Sequence, residues 1–285
     1  MVFSMTRNLF PRVWFNTGTS SGLGRALAQA ALAHGDRVVA TARSTDGIAD
    51  LQTRFTDHAV ALPLDVTDAA QARAAIEAAV HAFGRIDVVV NNAGYGALGA
   101  LEELSEDAFR RQFDTNVFGV LNVTRAALPQ LRRQRSGHIV QLSSLSGVVP
   151  SAGEGAYAGS KAALEGLSES LAKEVAHLGI RVTIVEPGPF RTDFAGRSLH
   201  KAEPIDDYAE TVGATRDFVS QLDGAQPNDP ARGAEAIIQA VDSPTPPLRL
   251  PLGDQALEAI RAKLDDQRAE LDAWAEVSRA TGFAA

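Results

Sequence analysis

The stretch "NTGTSSGLGRALAQAAL" (residues 16–32) decides the fold class of this chain. Gly18, Gly22 and Gly24 stand between an apolar run and a stretch rich in alanine and leucine. Glycine accepts positive φ and lets a ligand approach the backbone closely. The helix that follows offers unpaired N–H groups and the positive end of its dipole. We therefore interpret this turn as a pyrophosphate site at the start of a βαβ unit, rather than as an ordinary turn with helix-capping serines.

Apolar runs and helical stretches alternate along the first two-thirds of the chain. Several runs are continuously apolar, as expected for strands buried on both faces of a parallel sheet. The candidate strands are residues 12–17, 37–42, 59–64, 86–91, 138–143 and 181–186, with a last short one around 248–250. Candidate helices between them include residues 23–34 and 69–83. The pattern predicts an α/β fold: a Rossmann-type doubly wound parallel sheet of about seven strands with helices on both faces.

Length and composition narrow the class of protein. The chain has 285 residues, and no linker or repeat divides it, so we expect a single domain over residues 1–285. The net charge of −8 disfavours nucleic acid and anionic membranes as partners. Cysteine is absent, which excludes disulfides and thiolate metal sites. The six histidines lack paired ligand spacing, so no metal is expected.

The N-terminal residues carry neither a clean apolar signal segment nor a cleavage site. The sequence contains no run of about 18 apolar residues, the length that a membrane-spanning helix needs. We therefore expect a cytoplasmic protein. The two methionines, Met1 and Met5, leave the native start open.

The composition changes after Gly188. We predict a mobile substrate lid at about residues 189–225, with a short amphipathic helix within it. A C-terminal helix is expected at about residues 254–278, where apolar residues recur at helical spacing: Leu257, Ile260, Leu264, Leu271 and Trp274. We expect this stripe to pack on its own domain, with binding of a partner as the alternative.

A candidate catalytic pair lies in "AYAGSKAALEGLSESLAKEVA" (residues 156–176). Tyr157 and Lys161 are at positions i and i+4, which share one face of a helix. A free tyrosine has a pKa of about 10, and a neighbouring ammonium lowers the pKa of the phenol. The pair then exchanges a proton when a ketone is reduced or an alcohol is oxidised. Ser144 ends the fifth candidate strand, where α/β sheets place functional groups.

Four motifs in this order resemble the short-chain dehydrogenase/reductase family, in its single-domain branch with TGxxxGxG and YxxxK motifs. They are "TGTSSGLG" (17–24), "NNAG" (91–94), "YAGSK" (157–161) and "EPGP" (186–189). The resemblance implies an NAD(P)-dependent oxidoreductase that interconverts a ketone or aldehyde and an alcohol by hydride transfer. Glu186 stands where many relatives have Asn.

The resemblance also implies roles for individual residues. Tyr157 matches the acid/base, Lys161 the lysine that tunes it and binds the nicotinamide ribose, and Ser144 the serine that orients the substrate carbonyl. Asn116, in "FDTNVFG", matches the asparagine that holds a water near the lysine. The implied cofactor-binding set is Gly18, Ser20, Ser21, Gly22, Leu23, Gly24, Arg43, Asp65, Val66, Asn92, Ala93, Gly94, Tyr157, Lys161, Pro187, Gly188 and Thr192.

The residues at the end of the second candidate strand indicate whether the chain prefers NAD(H) or NADP(H). NAD-preferring sites place an acid there to bind the ribose 2′-hydroxyl. Here Arg43 occupies that corner, and the nearest acids are Asp36 before the strand and Asp46 beyond it. A guanidinium suits a 2′-phosphate, so we predict NADP(H) over NAD(H).

The sequence indicates the substrate less precisely than it indicates the type of reaction. Ser144, Tyr157, Tyr95 and Phe190 are the predicted substrate-binding residues. Further apolar wall candidates are Val148, Val149, Phe194, Tyr208 and Phe218. They favour an apolar small-molecule ketone or secondary alcohol. Relatives are commonly dimers or tetramers, so a homo-oligomer is expected. The alternatives are a non-catalytic NADP(H) sensor, an NAD(H)-preferring alcohol dehydrogenase and an epimerase.

Overall fold

A computed structural model describes residues 11–196 and 198–283. Met1 and Met5, and with them the question of the native start, lie outside the described residues. The strands are β1 (Val13–Asn16), β2 (Arg37–Ala42), β3 (Ala59–Pro63), β4 (Val88–Asn91), β5 (Gly96–Leu98), β6 (Gly137–Leu142), β7 (Ile180–Pro187), β8 (Leu199–Lys201) and β9 (Arg249–Leu252).

Seven of these strands form one parallel sheet in the order β3-β2-β1-β4-β6-β7-β9. All seven candidate strands of the sequence belong to this sheet, with boundaries that shift by a few residues. The chain runs outward from β1 to β3 and then restarts at β4 on the other side of β1. A crevice therefore opens beyond the carboxyl ends of β1 and β4, where doubly wound folds bind their ligands.

Helices cover both faces of the sheet. They are α1 (Gly22–Ala33), α2 (Ala49–Arg54), α3 (Ala69–Phe83), α4 (Glu106–Phe113), α5 (Val120–Gln134), α6 (Gly155–Val175), α7 (Ala214–Leu222), α8 (Pro230–Asp242), α9 (Asp254–Ala273) and α10 (Ala275–Arg279). A π-helical segment, Asp114–Gly119, joins α4 to α5, and a 3₁₀ turn, Leu145–Gly147, follows β6.

The core lies in two layers, one on each side of the sheet. Because side chains of a strand alternate between faces, Trp14 packs with α1 and α8 while its neighbour Phe15 packs with α3 and α5. Both rings are fully buried. The predicted Rossmann-type architecture is confirmed.

A second, two-stranded parallel sheet joins β5 to β8 and was not predicted. Each strand has only three residues, too few to show a periodicity of two. The segment predicted as a lid contains β8 and α7, so it is attached to the body of the protein through β5. An ion pair between Arg216 and Glu103, 2.7 Å long, fastens α7 to the same region.

The C-terminal helix corrects one expectation. Only Ala256 and Ile260 of α9 are buried, whereas Leu264, Leu271 and Trp274 are exposed. Leu257 is exposed as well, so the prediction that the whole stripe packs on its own domain is wrong for every member except Ile260. The helix also ends at Ala273, and α10 follows after Trp274. Within residues 11–196 and 198–283, no helix has the length and hydropathy needed to cross a membrane.

Asp36 is a buried structural carboxylate at the start of β2. It accepts hydrogen bonds from the Trp14 indole N–H at 2.8 Å and from the Arg12 backbone N–H at 2.9 Å. The Arg12 guanidinium also lies 3.0 Å from it. These contacts fix the edge of β1 against β2, so Asp36 is not available to bind a ribose.

Replacing Asp36 with alanine leaves the indole N–H and the guanidinium of Arg12 without this partner. We expect Asp36→Ala to lower the free energy of unfolding by about 3 kcal/mol, since the unpaired groups keep their desolvation cost. Urea denaturation measures this loss. The matched control is Asp50→Ala, which removes an exposed partner of Arg25 and should change little. Equal losses in the two variants would contradict this account.

Candidate active site

The glycine-rich turn between β1 and α1 leaves a helix end open. Gly18 and Gly22 have φ of +67° and +59°, which side-chain-bearing residues rarely adopt. Ser21 is the N-cap residue of α1, yet its side chain makes no capping hydrogen bond. The first N–H groups of α1 therefore lack a side-chain partner and face the crevice. This arrangement fits an anion better than it fits a capped turn.

Asn92 braces this turn from the end of β4. Its Nδ2 donates to the carbonyl oxygens of Thr17 and Gly18, at 3.0 and 2.9 Å. A Cβ on Gly24 would lie 2.2 Å from that nitrogen, so Gly24 is required for the amide to fit. The Thr17 hydroxyl accepts hydrogen bonds from the backbone N–H groups of Asn92 and Ala93, both at 3.0 Å. The side chain of Asn92 thus holds the turn in shape.

A cavity of about 1650 Å³ extends from this turn along the carboxyl ends of the strands. Most of the predicted site residues line it: Gly18, Ser20, Ser21, Gly22, Leu23, Arg43, Asp65, Val66, Asn92, Ala93, Gly94, Tyr95, Tyr157, Lys161, Pro187, Gly188, Phe190 and Thr192. Gly24, Asn116 and Ser144 stand behind its wall, next to residues that line it. The structure therefore brings the predicted set together along one crevice.

Tyr157 and Lys161 lie one turn apart on α6, as predicted. The ammonium of Lys161 is 5.9 Å from the centre of the Tyr157 ring. It donates a hydrogen bond of 2.6 Å to the carbonyl oxygen of Leu142, the last residue of β6. Burial lowers the pKa of Lys161 to about 8, and the carboxylate of Glu165 acts in the opposite direction.

The pKa of Tyr157 differs from the expectation. Burial raises it well above its usual value, the negative charge of Glu154 raises it further, and a hydrogen bond with Ser144 partly lowers it. The predicted net lowering of the Tyr157 pKa is wrong for this structure, because burial outweighs stabilisation of the phenolate and the ammonium of Lys161 donates its hydrogen bond to the Leu142 carbonyl rather than to the phenol oxygen. Tyr157 therefore keeps its proton at neutral pH.

Asn116 lies in the π-helical segment and is fully buried. Its amide nitrogen donates to the Tyr95 carbonyl and to the Ser160 hydroxyl, both at 3.1 Å. Its oxygen accepts from the Tyr95 N–H at 3.3 Å. The π-helical turn places the Asn116 side chain at the bottom of the crevice. Single π-helical turns of this kind are frequent at functional sites. A Cβ on Gly94 would lie 3.0 Å from the Asn116 oxygen and 3.6 Å from the Lys161 ammonium.

Two residues of the site had no predicted role. Ser160 donates to the Tyr157 carbonyl at 2.7 Å and so links Asn116 to α6. Gln226 lines the cavity, is 3% exposed, and its amide oxygen has no hydrogen-bond partner. Sequence motifs point to neither residue, because both depend on contacts between segments far apart in the chain.

The adenosine end of the cavity contains Arg43 and Asp65. Arg43 is exposed at the end of β2 and has no hydrogen bond or ion pair with any residue that the structure describes. Asp65 accepts two hydrogen bonds from Thr67, at 2.9 Å from the N–H and 2.7 Å from the hydroxyl. The unpaired guanidinium is thus the group at this end that is free to meet an anion.

The opposite end of the cavity is largely apolar. Phe194 of the lid segment lies over Tyr157, with ring centres 5.5 Å apart. The ring of Phe190 packs toward Gly233 and belongs to the core, so it supports the wall more than it faces the crevice. Tyr208 donates a hydrogen bond to Glu102 at 2.7 Å, and neither Tyr208 nor Val148 lines the cavity, contrary to expectation.

The sequence pattern of the short chain dehydrogenase family matches residues 12–203. The chain belongs to the short-chain dehydrogenase family. The match spans β1 to β8 and so includes the glycine turn, helix α6 and the segment after β7.

Similar proteins and a solved structure support this family assignment. The chain is 41% identical to oxidoreductase BOA17 of Botryotinia fuckeliana over 95% of this chain and 99% of that one. It is 35% identical to a 3-ketodihydrosphingosine reductase of Bacteroides thetaiotaomicron, over 85% and 88% of the two chains. A crystal structure of a short-chain dehydrogenase from Streptomyces avermitilis superposes with a TM-score of 0.91 at 47% identity, covering 96% of this chain and all of that one.

The crevice of this short-chain dehydrogenase fits a nicotinamide dinucleotide. Structural neighbours are complexes with NAD, with NADH and with 5-hydroxy-NADP. Here the open N-terminus of α1 suits the pyrophosphate, and the unpaired Arg43 marks the adenosine end. In residues 11–196 and 198–283, no group of three or more His, Asp or Glu side chains is placed to hold a metal ion.

The contact between Gly24 and Asn92 gives a test of the cofactor turn. Gly24→Ala puts a methyl group 2.2 Å from Asn92 Nδ2 and 2.5 Å from the Gly18 carbonyl, so the turn must shift. We expect affinity for the dinucleotide, measured by fluorescence titration, to fall at least tenfold, about 1.4 kcal/mol. Gly166→Ala, in α6, meets no atom within 4 Å and should leave affinity unchanged. Unchanged binding by Gly24→Ala would refute the role of the brace.

Proposed function

We propose that this short-chain dehydrogenase interconverts an apolar ketone or aldehyde and the corresponding alcohol, with NADP(H) as the cofactor. One observation carries the proposal. Tyr157 and Lys161 lie one turn apart on α6 and line the crevice, and the Ser144 hydroxyl behind its wall is near enough to the phenol to lower the pKa of Tyr157. A proton donor and a cation beside a nicotinamide site are the groups that carbonyl reduction requires.

Each side chain has a distinct task in this reaction. The cofactor, when bound, supplies or accepts the hydride. The hydroxyls of Ser144 and Tyr157 hydrogen-bond the carbonyl oxygen of the substrate and so stabilise the charge that develops on it. Tyr157 then gives its proton to that oxygen, in keeping with a phenol that is protonated at neutral pH. Lys161 binds the nicotinamide ribose and offers a positive charge beside the phenolate that remains.

The lining of the cavity favours an apolar substrate. Its walls near Tyr157 come from Tyr95, Leu98, Leu145, Val149, Phe194, Leu199, Phe218 and Leu222. Such a surface stabilises a hydrocarbon chain or ring system through the hydrophobic effect. Kinship with a 3-ketodihydrosphingosine reductase supports a lipid-like ketone as the substrate class.

The cofactor preference rests on Arg43. Its guanidinium is exposed at the adenosine end and has no ion-pair partner among the described residues, and the acid at this end, Asp65, already accepts hydrogen bonds from Thr67. A planar guanidinium binds a phosphate with two parallel hydrogen bonds, which a ribose hydroxyl does not allow. This favours NADP(H) over NAD(H).

Tyr157→Phe tests the proposed chemistry. The variant keeps the ring against Phe194 but removes the proton donor, so we expect kcat to fall by about 10²–10⁴-fold. NADPH affinity should remain within about twofold of the parent value, because the ribose contact belongs to Lys161. A panel of apolar ketones, followed by loss of NADPH absorbance, measures the rate. Turnover at the parent rate would refute the mechanism, and a parent protein that binds NADPH but reduces no carbonyl would indicate a sensor.

Arg43→Ala tests the cofactor preference. Loss of a charge-assisted contact with the 2′-phosphate should raise the KM for NADPH by about 10–100-fold while the KM for NADH stays nearly constant. Arg54→Ala removes an exposed arginine outside the cavity and should change neither value. A parent enzyme that prefers NADH, or equal effects on both cofactors, would overturn the preference.

A further inference from the structure

A cluster of buried charges lies directly behind the catalytic lysine. Glu165 follows Lys161 by one turn on α6 and is 5% exposed. Glu186, at the end of β7, is 1% exposed. Arg249 of the edge strand β9 forms ion pairs with both carboxylates. These three residues, called here the Arg249 cluster, join α6, β7 and β9 at the carboxyl end of the sheet.

The hydrogen bonding within the Arg249 cluster is incomplete. One oxygen of Glu165 and one of Glu186 are buried without a hydrogen-bond partner. The Ser143 hydroxyl is also unpaired by ordinary geometry, although it is near enough to lower the pKa of Glu165. Two buried carboxylates therefore share one guanidinium. Buried charges without full compensation are costly, so a cluster of this kind suggests a role beyond stability.

Lys161 is a buried cation one helical turn from Glu165. Its ammonium is buried against the Leu142 carbonyl, and burial alone disfavours the charged form. The groups facing Lys161 are the phenol of Tyr157 and the carboxylate of Glu165 on its own helix, and the neutral Asn116 from the π-helical segment. Among the described residues, Glu165 is the negative charge that raises the pKa of Lys161.

Glu165 in turn depends on the strands behind it. It faces Arg249 from β9, Glu186 from β7, and the Ser143 hydroxyl that follows β6. Burial and the charge of Glu186 raise its pKa, whereas Arg249 lowers it. The guanidinium of Arg249 is 37% exposed and also binds Glu169 on the surface, at 2.7 Å. Arg249 and the Ser143 hydroxyl thus favour the ionised form of Glu165, against burial and the charge of Glu186.

We propose that Glu165 is a positioning residue that holds Lys161 in its protonated state, and that Arg249 keeps Glu165 charged for this purpose. The role deepens the proposed carbonyl reduction and rests on it, since a neutral Lys161 would no longer stabilise the phenolate of Tyr157. It also gives a task to the glutamate that replaces the usual asparagine at position 186: Glu186 ties Arg249 to the end of β7, next to Pro187 and Gly188.

The test measures the protonation of Lys161 directly. The chain contains only four lysines, Lys161, Lys173, Lys201 and Lys263, so a protein labelled with ¹³C at lysine Cε gives few NMR signals. Lys161→Arg identifies the signal of interest. In Glu165→Gln we expect the titration midpoint of Lys161 to fall by about one pH unit, because a close opposite charge shifts a pKa by about 1–3 units. The other three lysines serve as internal standards.

The matched control is Glu169→Gln. It removes a carboxylate bound by the same Arg249 but lies on the surface, and it should leave the midpoint of Lys161 and the activity unchanged. If Glu165→Gln does not fold, Glu165→Met replaces the charge with an apolar side chain of similar volume and carries the same expectation. A Lys161 midpoint equal to that of the parent in the folded variant would overturn the proposal.

Kinetics give a second readout that a purely structural role would not move. Loss of the Glu165 charge disfavours the charged form of Lys161. The decline of kcat/KM for ketone reduction at alkaline pH should therefore begin about one pH unit lower in Glu165→Gln than in the parent. Glu169→Gln should retain the parent profile. The NMR titration needs no turnover. A parent protein that reduces no ketone would therefore overturn the proposed function, while an unshifted Lys161 midpoint would overturn the role of Glu165.

Discussion

The hydrogen bonds from the Asn92 side chain to the carbonyl oxygens of Thr17 and Gly18 are the constraint on which the site depends. They join the ends of β1 and β4 where the strand order reverses. With the amide in place, the turn must pass close to it, which requires glycine at position 24, and Gly18 and Gly22 give the turn its shape through positive φ. The open N-terminus of α1 then faces the crevice, and the rest of the site is arranged along it.

The end of the crevice that contains Tyr157 and Lys161 combines rigid support with unfavourable burial of charge. Helix α6 presents Tyr157 and Lys161 on one face, and Asn116 and Ser160 fix its first turns to the crevice floor. Burial acts on both titratable groups: it keeps the phenol protonated and weakens the ammonium. The Arg249 cluster opposes the second effect from behind the helix. Active sites commonly hold perturbed groups of this kind, at some cost in stability.

The small β5–β8 sheet and helix α9 show where sequence patterns stop being informative. The seven strands of the main sheet have clear apolar runs because both faces of the sheet are covered, and that burial demands apolar residues throughout. The strands β5 and β8 have three residues each and pair only because the chain folds back. Likewise, the apolar spacing of α9 is helical along its length, but the body of the protein ends near Ile260. The spacing of apolar residues predicts a helix, but it does not show whether another part of the protein packs against that helix.

Local sequence patterns are enough to predict the fold class, the glycine turn, the Tyr157–Lys161 pair and the position of Arg43 after β2, because the residues of each pattern lie close together in the chain. Tertiary structure alone decided the state of those residues. The raised pKa of Tyr157 comes from burial, and the ion pairs of Glu165 and Glu186 with Arg249 join segments 84 and 63 residues apart. Burial and long-range charge are properties of the packed molecule, so no local pattern contains them.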